Sequence, residues 1–513
     1  MDSNDIIGND FIAAIEIGSS KIVGMAGRHM PDGSIQIPAY IKENSSSFIR
    51  RGKIDNLELA SKSLEKILQH LEDNIKRKIS KIHICIGGQS LHSHVDTVQR
   101  EYDAEIEISQ EMLDNLLLED KRIEEPNYVR MKEIPLSYTL GKEIVSPSNL
   151  HSGCIADRIE GHFVNIYYRK DFISRLKECL SRANFPETEF HLGPLVLGDC
   201  IIKDDAKRTG CVLVDLGAQT TTVAVYTSRL LRHVVTIPLG SDNITHDIAS
   251  IYHIEEAEAE RLKREYGSAI SEKSTDATPV EEKTISISTG AEIKESELSE
   301  IIEARVEEIF NNVEAQLKRA GIEKSEDLIS GAVLTGGGAN LRNIDKAFKE
   351  FVEPKLNVAI VKNITTPIST RYKEIKTDSC SLNTILSMLV EGAEDSDGGE
   401  KDSSLLDFPE ERYALSASDA EAPALNTVAR NPEGWTTTQP EPDDKTPYVW
   451  KTEASVSADG HKLTRNWSKP QCITQSQPET KTPKKKKTGG VKKLIGKMRN
   501  FIDEVVGPEK TPE

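Results

Sequence analysis

Two segments of the chain each contain a short apolar run, a turn of small residues and a second apolar run. The first joins FIAAIEI to KIVGMAGR through residues 18–20, and the second is CVLVDLGAQTTTVAVY at residues 211–226. Apolar runs of this length that flank glycine and other small residues predict β-hairpins. The same arrangement occurs twice, roughly two hundred residues apart, which predicts two similar α/β halves that face a cleft.

The pattern between and after the hairpins predicts further elements. Apolar residues on one face of Leu57–Ile75 predict an amphipathic helix, and the run KIHICIGG that follows predicts a strand. Residues 89–162 are more polar and less regular, which favours an inserted subdomain. The other predicted elements are a strand at 163–168 (FVNIYY), a helix over Asp171–Ala183, a mostly helical region at 241–325, and a strand, glycine loop and helix start in AVLTGGGANL.

Each hairpin turn offers small residues that let backbone N–H groups approach a phosphate chain closely. The leading strand of each hairpin carries an acid near its end, Glu16 in the first and Asp215 in the second. Two carboxylates that converge on one cleft are suited to hold the water shell of Mg²⁺, which gives up its waters reluctantly, and to orient an attacking water. The predicted phosphate-binding residues are Gly18, Ser19, Ser20, Lys21, Gly217, Ala218, Gln219 and Thr220.

Three consecutive glycines, Gly336, Gly337 and Gly338, follow the apolar run AVLT. Adenine needs a surface made of backbone alone, and glycines provide one, so we expect these residues to bind the adenosine of ATP. An acid before a glycine turn is typical of an ordinary β-turn, and three glycines alone are typical of a loop that enters a helix. The ATP and Mg²⁺ prediction therefore depends on the three segments together.

Composition excludes several classes of protein. The 513 residues carry a formal net charge of −18, whereas a general nucleic-acid binder presents a basic surface. Seven scattered cysteines without a CxxC pair predict a reduced, cytoplasmic protein without structural zinc. The first residues lack a basic segment followed by an apolar run, so we expect no signal peptide. No stretch reaches the ~20 apolar residues that a membrane-spanning helix needs.

The last hundred or so residues differ in character from the rest. From residue 392 to 488 the chain is rich in Ser, Thr, Pro, Asp and Glu and has almost no periodicity, which predicts a disordered linker. A basic helix with one apolar stripe is predicted after it, and the basic run Lys484–Lys487 precedes it. The predicted membrane-binding residues of the stripe are Val491, Leu494, Ile495, Met498, Ile502 and Val505.

This helix is too short to cross a bilayer, because about fifteen residues span only ~22 Å. We expect it to lie flat in the interface of an anionic membrane, with the basic run adding roughly 1 kcal/mol per charge. A helix that docks on a partner protein or on the body of this chain is the alternative interpretation.

The three ligand-binding segments resemble those of FtsA, a family of bacterial cell-division proteins in the actin/Hsp70/sugar-kinase superfamily. IEIGSSK is similar to the family's first phosphate segment, CVLVDLGAQTTTVAVY to its second and AVLTGGGANL to its adenosine segment. More specific to FtsA is LLRHVVTIPLGSDNITHDIA, followed by AEAERLKREYG. The resemblance covers about residues 10–391.

The resemblance implies an α/β fold of the two-lobed actin/Hsp70 type with duplicated α/β subdomains, an inserted subdomain IC, and a disordered C-terminal linker that ends in an amphipathic helix. The implied boundaries are 1–88, 163–205 and 378–391 for subdomain IA, 89–162 for IC, 206–240 and 326–377 for IIA, 241–325 for IIB, 392–488 for the linker and 489–507 for the helix.

The family's site residues can be carried over to three further positions. Glu260 and Lys263 match the spacing with which the smaller subdomain contacts ribose and adenine, although an i, i+3 ion pair on a solvated helix face has the same spacing. Arg305 matches a family arginine near the bound C-terminal peptide of the tubulin-like protein FtsZ. A helix arginine paired with Glu303 or Glu308 is an equally good interpretation.

Three departures from the family bear on hydrolysis. The first phosphate segment usually carries Asp where this chain has Glu16, the second usually has more glycine than GAQT, and it usually has an acid at the position of Thr222. We expect ATP binding with at most slow hydrolysis.

The resemblance implies an adaptor in cell division. Such a protein would self-associate into actin-like filaments, bind FtsZ and other division proteins, and hold FtsZ filaments at the inner face of the cytoplasmic membrane, at the septum. A small-molecule kinase or ATPase of the same fold is the alternative. An Hsp70-like chaperone is disfavoured, because the polar segment after residue 391 offers no β-rich peptide-binding domain.

Overall fold

A computed structural model describes residues 10–150, 154–271, 283–322, 325–377 and 379–400, together with short strands between residues 448 and 472. The chain divides into two units, Met1–Lys401 and Asp402–Glu513. The first unit contains both hairpins and the glycine loop. None of the helices in the described ranges is long and apolar enough to span a membrane.

The first unit is a mixed α/β structure. Its strands are β1 (Ile12–Ile17), β2 (Lys21–His29), β3 (Ile35–Asn44), β4 (Ile49–Arg50), β5 (Lys53–Ile54), β6 (Arg77–Ile79), β7 (Lys81–Ile86), β8 (His92–Glu107), β9 (Tyr128–Leu140), β10 (Glu143–Val145), β11 (Ile155–Arg169), β12 (Glu187–Leu192), β13 (Cys211–Leu216), β14 (Thr221–Thr227), β15 (Leu230–Ile237), β16 (Thr284–Ser286), β17 (Glu292–Lys294), β18 (Ala332–Thr335), β19 (Val358–Ile360), β20 (Ile368–Thr370) and β21 (Asp397–Glu400).

The helices of the first unit lie between these strands. They are α1 (Leu57–Ile75), α2 (Gln110–Asp120), α3 (Lys170–Arg182), α4 (Gly193–Ile201), α5 (Asp204–Thr209), α6 (Ser241–Tyr252), α7 (Glu256–Tyr266), α8 (Glu295–Arg319), α9 (Ile344–Phe351) and α10 (Asn383–Glu391). The predicted helix Leu57–Ile75 is confirmed with the same bounds. It begins at Asn56, whose side chain accepts a hydrogen bond from the N–H of Leu59 and so caps the helix.

The two largest sheets contain the same arrangement of five strands. The first has the order β12-β7-β1-β2-β3-β20, and the second ends in the order β15-β14-β13-β18-β19. In each, a hairpin lies at the centre, an antiparallel strand flanks its second arm, and two parallel strands flank its first arm. The predicted duplication of an α/β half is therefore confirmed.

The central strands are buried on both faces, which explains their continuous apolar sequences. Every residue of β1 except Glu16 is buried, and every residue of β13 except Asp215 is buried. Helices cover both sheets, so each acid lies near the end of a strand inside the protein. One apolar cluster contains residues of both hairpins, such as Ile15 and Leu213, and a second cluster covers the other face of the second hairpin, with Val212 and Val214.

The predicted insertion at 89–162 forms β8, α2, β9, β10 and most of β11. Strand β11 pairs with β8 and β9 over nearly its whole length, from Ile155 to Arg169. FVNIYY is therefore the end of a strand of the insertion, and the boundary that the sequence analysis places at 162/163 falls inside this strand. The insertion continues the second sheet, because Val235 of β15 pairs with His92 of β8.

The folded body continues beyond residue 391, where the sequence analysis ends it. Strand β21 pairs with β6, and the Asp397 carboxylate forms an ion pair with Arg77 at 2.6 Å. Ser396 is fully buried; its Oγ accepts a hydrogen bond from the N–H of Ala13 at 2.9 Å. The predicted linker start at 392 is therefore wrong. The polar residues after 391 are held against the first unit by backbone hydrogen bonds and an ion pair, and composition does not reveal such partners.

In the second unit the structure describes four short strands, β22 (Tyr448–Val449), β23 (Thr452–Val456), β24 (Leu463–Trp467) and β25 (Gln471–Cys472). Strand β22 pairs with β25 and β23 pairs with β24, both antiparallel. These strands lie within the segment that composition predicts to be disordered. The predicted helix at 489–507 lies outside the described residues.

Candidate functional site

The turn of the first hairpin is held by backbone and hydroxyl groups. The N–H of Gly18 donates to the carbonyl of Lys21 at 3.0 Å, and Ser45 Oγ donates to the carbonyl of Gly18 at 2.7 Å. Ser19 is buried, and its Oγ accepts from the N–H of Gly52 at 2.9 Å. The Ser19 hydroxyl is therefore engaged in shaping the loop, and what this residue can offer a phosphate is its backbone N–H.

The turn of the second hairpin packs against the start of α6. The N–H of Gly217 donates to the carbonyl of Thr220 at 2.8 Å, which closes the turn in the same way as the first. The N–H of Asp242 donates to the carbonyl of Ala218 at 2.6 Å. A β-carbon at Gly240 would lie 2.5 Å from that carbonyl, so glycine is required for this approach. The hairpin turn thus lies at the N-terminus of a helix, where anions are favoured.

The glycine loop lies against the end of β13. Gly336 has φ 84° and ψ 166°, a conformation essentially restricted to glycine. A β-carbon there would lie 2.2 Å from Asp215 Oδ1, whereas one at Gly337 would meet nothing nearer than Ser381 Cβ at 4.0 Å. A 3₁₀ turn over Gly337–Asn340 follows, and α9 begins only at Ile344. The predicted helix start is therefore replaced by a tighter turn that leaves Gly337 facing open space.

Three charged groups meet between the hairpins. Burial raises the pKa of the Glu16 carboxyl to about 7; the Lys21 ammonium opposes part of this rise and the Asp215 carboxylate adds to it. Burial also raises the pKa of Asp215 to about 6, again opposed by Lys21. Burial lowers the pKa of Lys21, and Glu16 partly restores it. The two predicted acids and the predicted phosphate-binding lysine therefore form one electrostatically coupled group.

A segment that sequence reasoning missed completes this group. Lys21 Nζ donates to the carbonyl of Ser381 at 2.6 Å. Asn383 Nδ2 donates to Thr335 Oγ1 at 2.9 Å and to the carbonyl of Val361 at 2.7 Å. The loop before α10 thus connects the first hairpin with the strand that leads to the glycine loop. No local pattern marks it, since its partners lie far away in sequence.

The residues present fit a magnesium–nucleotide complex. Glu16 Oε2 is buried without a hydrogen-bond partner among the described residues, which leaves a carboxylate oxygen available to a water-bound cation. Lys21 supplies positive charge, two turns expose small residues, and Gly337 faces open space. The structure thus brings Glu16, Asp215, Lys21 and the glycine loop together around one cleft.

Comparison with known proteins points to one family. Residues 212–378 match the family described as Cell division protein FtsA. The protein named Cell division protein FtsA from Porphyromonas gingivalis is 27% identical over 380 residues, which are 72% of this chain and 75% of that protein. The protein of the same name from Bacillus subtilis is 26% identical over 355 residues, 68% of this chain and 79% of its own length. The chain is a relative of the FtsA cell-division proteins.

The predicted resemblance to FtsA and the predicted fold class are both confirmed. A solved structure titled "PilM-PilN type IV pilus biogenesis complex" matches with a TM-score of 0.52 at 14% identity and covers 75% of this chain and 98% of that chain. This likeness shows the fold alone, an actin-like arrangement of two α/β lobes.

The two residues that the FtsA resemblance assigns to ribose and adenine lie together on α7. Lys263 Nζ is 2.6 Å from Glu260 Oε2, so the i, i+3 ion pair of the alternative interpretation is present. Lys263 is nevertheless buried, and its Nζ also donates to Thr245 Oγ1 at 2.7 Å and to the carbonyl of Ser241 at 3.1 Å. Lys263 therefore packs against the start of α6 beside the second hairpin, whereas 40% of the Glu260 side chain is exposed.

Gln219, in the turn of the second hairpin, connects that turn with two other segments of the chain. Its Oε1 accepts from the N–H of Arg51 at 2.8 Å, and its side chain hydrogen-bonds the carboxyl of Asp242. Arg51 belongs to the loop beside the first hairpin, whereas Asp242 is in the first turn of α6. The extra side chain in GAQT thus joins the two hairpin regions directly.

At Thr222, where FtsA proteins usually have an acid, the hydroxyl is within 3.0 Å of Thr236 Oγ1 in a buried pair. Thr222 pairs with Asp215 in the β13–β14 register. The hydroxyl therefore closes a contact between β14 and β15, and no third carboxylate joins Glu16 and Asp215 from this position.

Arg305 lies on α8, opposite α6. Its Nε and Nη2 contact both oxygens of Asp247 at 2.6 and 2.9 Å, and it also pairs with Glu308. Only 12% of the side chain is exposed. Glu303, the other predicted partner, instead accepts hydrogen bonds from Ser271. The arginine is thus fixed by two acids and bridges two helices.

The predicted membrane-binding residues of the C-terminal helix lie outside the described residues.

Proposed function

We propose that this protein binds ATP and Mg²⁺ in the cleft between its two lobes and acts as an adaptor. In this role it self-associates, binds FtsZ, and tethers FtsZ filaments to the inner face of the cytoplasmic membrane at the division septum. The convergence of Glu16, Asp215 and Lys21 from two duplicated hairpins is the observation that carries the ATP site. The FtsA relatives support the role in cell division.

The cleft residues have separate roles in this proposal. Backbone N–H groups of residues 18–21 and 217–220 bind the phosphates, and the glycine loop contacts the adenosine. Glu16 and Asp215 hold the water shell of Mg²⁺, which neutralises phosphate charge when bound. Glu260 and Lys263 approach the ribose and adenine from α7. Lys21 keeps the site close to neutral before the metal and nucleotide enter.

Slow hydrolysis is part of the proposal. The FtsA resemblance implies Asp where this chain has Glu16, and more glycine than GAQT supplies in the second turn. Thr222 adds no acid. These features support a cleft that holds ATP and couples it to assembly rather than one that turns over a substrate.

Binding of FtsZ is assigned to the region 241–325. Its helices α6 and α8 are joined by the Arg305–Asp247 contact, so the arginine supports the shape of the surface and presents only a small exposed fraction to an acidic peptide. Membrane binding is assigned to the predicted helix at 489–507, where a basic face and an apolar stripe together give reversible attachment.

Liposome flotation tests the tether. The full-length protein, a form that lacks residues 489–513, and the variants Leu494→Glu and Asn500→Glu are mixed with anionic vesicles, with and without FtsZ. Both substitutions add one negative charge, but only Leu494 is in the apolar stripe. We expect the full-length protein and Asn500→Glu to float and to carry FtsZ with them, and the other two to remain in the pellet.

Equal flotation of all four proteins would contradict the tether.

Nucleotide binding is measured separately with a fluorescent ATP analogue, and Asp215→Asn is expected to weaken it at least tenfold in the presence of Mg²⁺. The alternative, a small-molecule kinase or ATPase, predicts multiple turnovers of ATP per second. Turnover at that rate would favour the enzyme over the adaptor.

A further inference from the structure

A cluster of two histidines and two acids lies at the edge of the first sheet, away from the cleft residues described above. His83 is on β7, and Glu189 and His191 are on the neighbouring strand β12, with Glu189 opposite His83 in the parallel register. One ligand atom from each of these three residues lies within 4.8 Å of the other two. They are the only such group of three among the described residues.

The distances within the cluster are close to those of a metal site. His83 Nδ1 is 2.9 Å from His191 Nε2, Glu189 Oε1 is 3.6 Å from His191 Nε2, and Glu189 Oε2 is 4.0 Å from His83 Nδ1. Ligands of a tetrahedral zinc ion lie about 2.0–2.2 Å from the metal, so they are separated from each other by roughly 3.3–3.5 Å. Small movements of exposed side chains would reach this geometry.

The fourth side chain orients the first ligand. His83 is 1% exposed, and its Nε2 donates to Asp395 Oδ1 at 2.7 Å. In a neutral ring this leaves the lone pair on Nδ1, the atom that faces His191 and Glu189. A carboxylate that holds the second nitrogen of a histidine is the common outer partner of metal-bound histidines. The tautomer that a metal requires is thus already set.

The charge of the cluster is suited to a dication. Lys81 Nζ lies 2.7 Å from Glu189 Oε2 and 2.6 Å from Asp395 Oδ2, which leaves Oε1 of Glu189 and Oδ1 of Asp395 for the histidines. One lysine and two carboxylates beside neutral histidines sum to one negative charge.

We propose that His83, Glu189 and His191 bind a zinc ion, with Asp395 orienting His83. Two imidazole nitrogens and one carboxylate oxygen are ligands that Zn²⁺ accepts. A fourth position remains for water, since Glu189 is 48% exposed and His191 is 21% exposed. The absence of a CxxC pair led to the expectation of no structural zinc; the proposed site differs from that expectation because its ligands are histidine and carboxylate side chains.

The zinc site would join three parts of the first unit. Two ligands come from β12 and one from β7, and Asp395 belongs to the segment that leads into β21. In the metal-free state the Nε2–H of His191 donates a hydrogen bond to Nδ1 of His83. Zinc binding places both lone pairs on the metal, and the proton of His191 moves to its Nδ1, which leaves the total number of protons on the two rings unchanged.

The test measures zinc bound to the full-length protein at equilibrium after removal of metals by chelation and dialysis, with Zn²⁺ as the only added ligand. The variants are His191→Gln and Glu189→Gln, both at exposed or half-exposed positions. His94→Gln is the matched control, because His94 is on β8 and pairs with Asp96 at 3.5 Å, outside the group of three ligands. We expect the parent and the control to bind one equivalent more than either cluster variant.

We expect Asp395→Asn to have an intermediate zinc affinity, because it keeps all three ligands but changes the hydrogen bond that orients His83. Its zinc affinity should fall roughly 10- to 100-fold, while the visible spectrum of bound Co²⁺ keeps the form of the parent. Equal zinc stoichiometry in the parent, His191→Gln and Glu189→Gln would overturn the proposal. So would crystals grown with Zn²⁺ that show no anomalous peak between His83 and His191.

Discussion

The backbone of Gly336 lies so close to the Asp215 carboxylate that a β-carbon at position 336 would come within 2.2 Å of Oδ1. The glycine loop and the acid of the second hairpin are therefore in direct contact. Whatever moves the glycine loop also moves this carboxylate. Alanine substitutions at the adjacent residues Gly336 and Gly337 can therefore be compared as a matched pair.

Gly336→Ala should lower both the stability of the nucleotide-free protein and its affinity for ATP. The backbone conformation alone costs on the order of 1–3 kcal/mol for a residue with a side chain, and the new methyl group displaces Asp215. Gly337→Ala should leave the melting temperature unchanged and lower only the affinity, since its methyl group points into open space. Thermal melting and ATP titration separate the two effects. Equal melting temperatures for both variants would contradict this contact.

Glu16→Gln should stabilise the nucleotide-free protein increasingly as pH rises. The folded state keeps Glu16 protonated up to about pH 7, whereas its ordinary pKa is 4.5. Between these values the folded state binds more protons than the unfolded state, so the favourable contribution is lost as pH rises through 7. The gain of the variant over the parent should be near zero below about pH 4.5 and reach about 3 kcal/mol at about pH 8.

Melting temperatures at several pH values check this prediction, with Glu65→Gln as the control because Glu65 is exposed on α1. A difference between Glu16→Gln and the parent that does not change with pH would show that Glu16 has the same pKa in the folded and unfolded protein, which contradicts the effect of burial. Addition of Mg²⁺ and ATP should reduce the difference, since a bound cation favours the carboxylate.

Gln219→Ala should loosen the connection between the hairpin regions. The variant loses the acceptor for the N–H of Arg51 and the hydrogen bond to Asp242, so the Arg51 amide should exchange with solvent faster. Hydrogen exchange of the peptide around residues 48–54 measures this directly. Gln99→Ala, which removes a side chain that accepts from Arg158 elsewhere, should leave that peptide unchanged. Unaltered exchange in Gln219→Ala would mean that the bridge does not persist in solution.

Asp247→Ala and Arg305→Ala should each destabilise the protein, and the double variant should be scarcely worse than either alone. Removal of one partner from a largely buried ion pair costs about 3–5 kcal/mol because the other charge remains without full compensation. A double-mutant cycle on unfolding free energies measures the coupling. If the two losses simply add, Arg305 and Asp247 are independent in solution, and a direct role of the arginine in peptide binding regains support.

A protein that ends at residue 391 should be less stable than one that ends at residue 400. The shorter form loses the Arg77–Asp397 ion pair, the β6–β21 pairing and the hydrogen bond from Ala13 to Ser396. Melting temperatures of the two truncated proteins check this. Asp397→Ala in the longer form should account for part of the loss. Identical melting temperatures would restore the boundary that composition suggested.

The hairpins, the helix Leu57–Ile75 and the meeting of Glu16 with Asp215 could be predicted because each depends on local sequence. Apolar runs and small turns mark the hairpins, and duplication places both acids at equivalent strand ends. The contacts of Gln219 with Arg51 and Asp242, the contact of Ser381 with Lys21 and the His83–His191 pair could not be predicted, since each depends on a partner that no local pattern identifies. The insertion boundary was misplaced because strand β11 continues through it without a break in pattern.

The anchoring of Ser396 gives the chain beyond Glu400 a defined mechanical attachment. The N–H of Ser396 donates to the carbonyl of Phe11, and its Oγ accepts from the N–H of Ala13, so Ser396 is bonded to the start of β1, the strand that carries Glu16. A mechanical force applied to the C-terminal segment would therefore be transmitted to β1 in the first lobe. Glu16, the acid of the first hairpin, lies on this strand within a few residues of the attachment. Tension on the tail and occupancy of the cleft would act on the same strand.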